Sequence, residues 1–338
     1  MRKIGMLVMV FIVAMTQMGL AQKYQIKFAT LAPDGSTWMN VMQEYDQAVR
    51  AQSQGQLGFK IYAGGVSGDE KDVLRKIRLG QLHSAGFTGV GMGEILPEVR
   101  ILDSPFLFRN YQEVDYINQK FYDKFARAFE KNGYILLGWA EVGFVYVFTT
   151  KPVRTLADMK NVKMWMWEGD PVAEATFKAF GLSPIPLSVI NVMTALQTGM
   201  VDGVYISPLA AIALQWFTKV KYMMEVPLAL SSGAVLVSKS MYDKLSPELQ
   251  EILLQNGQQY MQKLMDLSRR DNEQSIETLR KEGIQIVSIP DKETLEKFYA
   301  TGYKARRLMV GKLFSQELLE EVEKALEAFR NQPGNEKI

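Results

Sequence analysis

The chain has 338 residues, 47% of them hydrophobic and 22% charged, and it contains no cysteine. That length favours two cores over one, the composition excludes a disordered or fibrous chain, and the missing cysteines exclude disulfides and thiol chemistry. Arg2 and Lys3 precede an apolar run from Ile4 to Ala14; setting these two aside, the 39 basic residues fall level with the 37 acidic ones, and nucleic-acid binding lacks its basic footprint.

Residues 1–21 are expected to form a secretory signal peptide. The apolar run is short, and Gly19-Leu20-Ala21 supplies the small residues a signal peptidase reads, with cleavage between Ala21 and Gln22. The mature protein is then expected in the periplasm and not embedded in the membrane. Tyr24 to Thr30 alternates as a strand, and Ala32-Pro33-Asp34-Gly35 ends it. Ser36 can cap a helix from Thr37 to about Ser53. A strand over Gly58 to Ala63, a helix over Asp69 to Leu79 and a small-residue strand over Ser84 to Thr88 follow. This alternation predicts a parallel sheet with crossover helices.

An apolar loop, Asp103 to Phe108, leads to a helix reaching about Asn132. Strands are predicted at Tyr134 to Trp139 and Val142 to Thr149, with Lys151-Pro152 breaking the chain. From Val162 the pattern places Val162, Met164 and Met166 on one strand face and Lys163, Trp165 and Trp167 on the other. Asp170-Pro171 reads as the cap and first residue of a helix through Phe180. Two tryptophans therefore share a face just before a helix begins, where open α/β sheets bind ligands. Packing beneath a helix is the other use for those rings. Further on, helix is predicted for Ser188 to Thr198, strand for Val201 to Ile206 and Ala234 to Ser238, and a long helix from Ser246 to about Lys281. A strand at Ile284 to Ile289 and mostly helix from Asp291 to Arg330 complete the chain. The expected fold is two α/β lobes closing on a hinge with a long bracing helix, residues 23–146 plus 236–270 in one lobe and 147–235 plus 271–338 in the other.

Several motifs, in order, point to a family. They are Ala32-Pro33-Asp34, Gly64-Gly65 with Gly68-Asp69-Glu70, Ser104-Pro105-Phe106-Leu107-Phe108 and Thr155-Leu156-Ala157-Asp158-Met159-Lys160-Asn161. Ala195-Leu196-Gln197-Thr198-Gly199-Met200-Val201-Asp202-Gly203 and Tyr242-Asp243-Lys244-Leu245-Ser246-Pro247-Glu248 complete them. With this set the chain resembles the solute receptors of tripartite ATP-independent periplasmic (TRAP) transporters, from about Gln25 to beyond Glu251. The resemblance implies a type II periplasmic-binding-protein fold, no enzymatic activity, and delivery of a small-molecule ligand to inner-membrane TRAP permease subunits.

It also implies two basic residues that are missing. The family's Lys-x-Arg, whose arginine forks onto a ligand carboxylate, reads Lys163-Met164-Trp165 here. A second basic position, in a Glu-x-Gly-Phe-Arg pattern, is Val145 of Glu141-Val142-Gly143-Phe144-Val145. Replacing charge-assisted contacts by indole and isopropyl favours apolar or aromatic surface in the ligand. The residues expected to line the cleft are Trp165, Trp167, Val145, Phe144, Tyr205, Phe87, Trp38 and Met92, with Glu141 and Asn191 at its edge and Trp216 further off. Trp165→Ala is expected to weaken binding by ~2–4 kcal/mol and to cost less stability than a core tryptophan would. The alternatives are an organic acid held without arginine, by helix N-termini with Tyr205 or Asn191, and a sensor or scaffold on the same fold.

Enzyme chemistry has little material. His83 is the only histidine, so neither a His-based metal site nor a Ser-His-Asp triad is expected. Gly89, Gly91 and Gly93 do not make the dinucleotide fingerprint. No metal, cofactor or catalytic residue is expected. Asp170 reads as a cap, Asp202 as a turn residue and Glu168 as solvated.

Overall fold

A computed structural model describes residues 23–333; the leader expected at 1–21 lies outside them. The N-terminal half follows its predicted rhythm: β1 (Tyr24–Ala29), α1 (Thr37–Gln52), β2 (Leu57–Tyr62), α2 (Glu70–Arg78), β3 (Ser84–Thr88), α3 (Gly89–Gly93), α4 (Tyr111–Lys131) and β4 (Tyr134–Trp139). Then come β5 (Gly143–Thr149), α5 (Leu156–Met159), β6 (Trp165–Trp167), α6 (Pro171–Phe180), β7 (Ile185–Leu187), α7 (Val192–Gln197), β8 (Gly203–Ile206), α8 (Pro208–Ala213), β9 (Tyr222–Met224) and β10 (Ala229–Ser231). The chain ends with β11 (Gly233–Ser238), α9 (Lys239–Tyr242), α10 (Pro247–Lys281), β12 (Gln285–Val287), α11 (Lys292–Met309) and α12 (Gln316–Arg330).

Two five-stranded sheets result. The first has the order β2-β1-β3-β11-β4, with β11 antiparallel to both neighbours. Alternation buries both of its faces: Ala234 and Leu236 enter one core, Val235 and Val237 the other. The second runs β10-β5-β9-β12, with β8 also paired to β5. Each sheet with its helices makes a lobe.

The lobes are joined by strands that run on from one sheet into the other. β4 continues into β5 as β10 continues into β11, and the two crossings are bonded to each other through Ala140 N to Gly233 O at 2.8 Å and Val142 N to Ser231 O at 3.0 Å. Gly233 is required there, because a Cβ would stand 2.4 Å from the Ala140 carbonyl oxygen. Helix α10 makes a third connection, packing on α1 and β4 in the first lobe and on α8 in the second. Ser246 caps it by accepting from Leu249 N, with Pro247 at its first turn.

Two expectations shift. The tryptophan strand contains only Trp165–Trp167, because Lys163 is engaged instead by Asp202, whose Oδ1 accepts Lys163 N at 2.6 Å. Helix α12 packs on α4, beside the first sheet; its Leu318, Val322 and Leu326 share a core with Val114 and Phe121.

Candidate ligand-binding cleft

The C-terminal ends of β1 and β3 face the second lobe across a cavity of about 240 Å³. From the first lobe the wall takes Leu31, Pro33, Trp38, Phe87, Val90 and Arg100; from the second it takes Val145, Trp165, Trp167, Val172, Phe177, Tyr205, Leu209, Trp216 and Leu230. Gly86 belongs to β3 for a local reason: a Cβ there would sit 2.3 Å from the Trp38 ring.

The second-lobe wall is a stack of aromatic rings. Trp165 lies parallel to Tyr205 at 4.9 Å between ring centroids, meets Trp216 edge-on at 5.3 Å, and is tilted to Trp167 at 6.1 Å. Its own N–H donates to Leu187 O at 2.9 Å, so its polar edge is satisfied by the neighbouring strand β7. The Tyr205 hydroxyl accepts from Trp167 N at 3.1 Å. Met164 and Met166, on the opposite strand face, pack with Phe177 and Phe180 as the alternation requires.

Charge is scarce and committed. Arg100 is the only lysine or arginine in the wall among the described residues. It is 3% exposed and reaches two carboxylates, Asp103 at 2.7 Å in its own lobe and Asp170 at 2.8 Å in the other. Burial alone would lower the Arg100 pKa, but Asp170 and Asp103 together carry it above its ordinary value. Asp103 also accepts the N–H and hydroxyl of Ser232 at 2.8 and 2.6 Å. Glu70, 2% exposed, accepts from Thr88 N at 2.8 Å, Thr88 Oγ1 at 3.0 Å and Gly91 N at 2.6 Å. Burial pushes its carboxyl up to about 7, against the pull of those donors.

Helix N-termini at the cleft are occupied as well. Ser36, Thr88, Asp170 and Ser207 accept from Met39, Val90, Val172 and Ala210 N–H at 3.3, 3.2, 3.0 and 3.3 Å. These are the donors an anion would use.

Six of the ten residues expected from sequence meet in the wall: Trp165, Trp167, Val145, Tyr205, Phe87 and Trp38, together with Trp216. The other four do not. Phe144 alternates with Val145 and turns into the first core against Tyr111, 4.8 Å between rings. Met92 is fully buried in that same core. Glu141 is drawn away by Arg269 of α10, at 2.5 Å, which fastens the crossing segment to the helix. Asn191 is exposed at the end of a short turn of 3-10 helix. Sequence reading missed Arg100 and Glu70. The only trace of either was Glu70 inside the Gly68-Asp69-Glu70 motif, and nothing local marks Arg100 as facing a cleft.

Two α/β lobes facing each other across one cavity lined mainly by apolar and aromatic side chains are the arrangement of a solute-binding protein. Among the described residues no cluster of histidine, cysteine and carboxylates could hold a metal, and no helix is long and apolar enough to cross a membrane. The sequence profile of DctP, described as bacterial extracellular solute-binding protein, family 7, matches residues 28–306. The chain belongs to this family and is a receptor rather than an enzyme. It is 24% identical over 269 residues to the 2,3-diketo-L-gulonate-binding periplasmic protein YiaO of Escherichia coli K12, covering 79% of this chain and 81% of that one. Among solved structures it resembles a TRAP periplasmic solute-binding protein of Pseudomonas putida F1 with bound D-glucuronate (TM-score 0.83, 24% identity, 92% and 99% of the two chains). A second, from Desulfovibrio salexigens with bound orotic acid, gives a TM-score of 0.84 at 20% identity over 90% and 99%. At these identities the structural likeness establishes the fold: the type II architecture of two α/β lobes.

Proposed function

We propose that this receptor takes up a small, predominantly apolar or aromatic-bearing molecule in the periplasm and delivers it to the permease subunits of a TRAP transporter, after export by the leader at 1–21. One observation carries the ligand class. Arg100, the sole lysine or arginine of the cavity wall among the described residues, is already held by Asp103 and Asp170. The two positions where the family resemblance implies a basic residue are Trp165 and Val145, both in the wall.

A carboxylate entering this cavity would lose its hydration beside Glu70, Asp103 and Asp170 and gain no free cation. An apolar ring would meet a stack of indole and phenol faces. Closure follows from the same residues. The ion pair between Arg100 and Asp170 spans the lobes, so the protein supplies the cross-cleft charge contact itself, and the ligand need not carry one.

An organic acid is the second reading, favoured by the D-glucuronate and orotate bound in the two related structures. It requires Arg100 to release an aspartate. Calorimetric titration with naphthalene, indole, D-glucuronate and orotate separates the two. Tight binding of either acid, with no heat from the aromatic compounds, sinks the apolar reading.

A further inference from the structure

A second cavity, of about 420 Å³, shares no lining residue with the cleft. It forms where the segment Pro105 to Arg109 meets the two C-terminal helices. Helix α11 packs on α6 in the second lobe and α12 on α4 in the first. The segment enters both cores: Phe106 packs with Phe298 in the second lobe, while Leu107 and Phe108 lie in the first. Arginines of both helices hold its carbonyls, Arg306 Nη1 donating to Pro105 O at 2.7 Å and Arg330 Nη2 to Leu107 O at 2.9 Å. Between those bonds Phe106 stands at φ 53°. A bulky residue keeps that left-handed conformation only where its surroundings fix it, and such positions gather at ligand sites. Gly302 lets α11 come close, since a Cβ there would stand 2.5 Å from the Phe106 ring.

Arg109, Arg306 and Arg330 line this crevice and keep open surface. Arg109 is exposed, and the side chains of the other two are 11% and 27% exposed. Their carboxylate neighbours are already shared. Glu323 accepts Arg306 Nε at 3.3 Å and Arg307 Nη2 at 3.1 Å. Glu113 accepts Arg330 Nε and Nη2, each at 2.7 Å, and Arg109 N at 2.9 Å. Arg306 Nη2, Arg330 Nη1 and the whole Arg109 guanidinium have no acceptor among the described residues. Burial, with Arg307 and Arg330 close by, holds the Arg306 pKa below its ordinary value although Glu323 pulls it up. The remaining carboxylate of the wall, Glu327, is exposed and makes no ion pair among the described residues.

We propose that this crevice is a second binding site, for a small oxyanion carrying two or more negative charges, held by Arg109, Arg306 and Arg330. Guanidinium forks match the oxygens of phosphoryl and carboxylate groups alike. Several unused N–H groups on three side chains suit an anion that presents several oxygens, and a monovalent ion would satisfy only part of them. Glu327 opposes any anion here, so its carboxylate sets a ceiling on affinity. The site is independent of what fills the cleft.

The probes are pyrophosphate, citrate and acetate, titrated calorimetrically into the full chain at low salt. At least one of the two polyanions should bind about tenfold or more tightly than acetate, and the tighter of them tells whether phosphoryl or carboxylate oxygens are preferred. Arg109→Gln removes an exposed guanidinium that braces nothing and should weaken that binding about tenfold, the loss of one charge-assisted contact. Glu327→Gln should tighten it about twofold. Lys60→Gln controls for net charge, because Lys60 is exposed on β2, at the sheet edge opposite β4, on which α4 packs; it should change affinity by less than about twofold. The site does not exist if neither polyanion binds, if Arg109→Gln weakens binding no more than Lys60→Gln does, or if Glu327→Gln weakens it. An anion held in the cleft would be exposed by the second of these results.

Discussion

Asp69 Oδ2 accepts the indole N–H of Trp167 across the cleft at 3.1 Å. Asp69 caps α2 in the first lobe, where its Oδ1 accepts Glu70 N at 2.7 Å; Trp167 ends β6 in the second and lines the cavity with its ring. The same Oδ2 receives the Ser188 hydroxyl and Val189 N, the latter at 3.3 Å. Three donors of one lobe thus converge on a single oxygen of the other, and one of them belongs to a side chain that touches whatever fills the cavity.

Asp69→Ala should therefore weaken the closed form by about 2 kcal/mol, the cost of orphaning these donors, and remove roughly 1 kcal/mol of helix capping. The chain has no cysteine, so Lys120→Cys and Lys160→Cys, exposed in opposite lobes, can carry a spin-label pair without competing thiols. The expected result is a shift to longer distances in Asp69→Ala. Superimposable distributions would show that the clasp does not govern closure.

Glu70 makes stability depend on pH. Its folded-state carboxyl titrates near 7, above the ordinary 4.5, so the folded protein binds a proton that the unfolded chain has released between those values. Stability contributed by this group is full below about pH 4.5 and falls as pH rises through 7, by on the order of 3 kcal/mol at most. Glu70→Gln cannot titrate. Measured from about pH 5 to 8.5, the melting temperature of the wild type should fall relative to the variant as pH rises. A constant difference across that range would mean that Glu70 stays in one protonation state.

The ion pair of Arg100 with Asp170 is 4% and 7% exposed at its side chains. Asp170→Asn keeps an oxygen for Val172 N but removes the charge, leaving Arg100 with Asp103 alone. Breaking one side of a buried pair costs about 3 kcal/mol. Because the two residues stand in different lobes, part of this loss should appear as opening and part as lower unfolding temperature. A double-mutant cycle with Arg100→Met measures the coupling; a value near zero would mean that Asp103 alone fixes the guanidinium.

The two-lobed fold was legible because strand alternation, caps at Ser36, Asp170 and Ser246, and the long α10 pattern are local signals. The ring face of Trp165 and Trp167 was legible for the same reason. Arg100 and the Asp69 clasp were not, since each gains its meaning from residues about 70 to 120 positions away. Phe144 and Val145 show the limit in miniature. Both are buried in β5 at 7% exposure, and only the other elements packed around the strand decide which one faces the cavity. Trp165 was expected to be more wall than core, yet it is 2% exposed and belongs to the core around Phe148 and Val204 as well. Trp165→Ala should consequently cost about 3–5 kcal/mol of stability in addition to weakening binding. Thermal unfolding settles it: a negligible shift would return Trp165 to a purely ligand-facing role.

Val145→Arg tests the ligand class with less damage to the fold than any change at Trp165. Val145 is 7% exposed, lies in the cavity wall, and pairs with Ala229 through backbone that a new side chain leaves intact. An arginine there adds a cation to a wall in which Arg100 is engaged by two aspartates. Overpacking should lower stability by roughly 1–3 kcal/mol. Naphthalene binding should weaken by about tenfold or more, since hydrocarbon would then face a guanidinium with few partners. On the apolar reading the wild type binds neither D-glucuronate nor orotate measurably; in Val145→Arg one of them should bind in about the millimolar range and more weakly at high salt, as a charge-assisted fork onto a carboxylate requires. If the wild type already binds either acid tightly and Val145→Arg adds nothing, Arg100 must exchange an aspartate for the ligand, and the cavity is an acid site despite its aromatic wall.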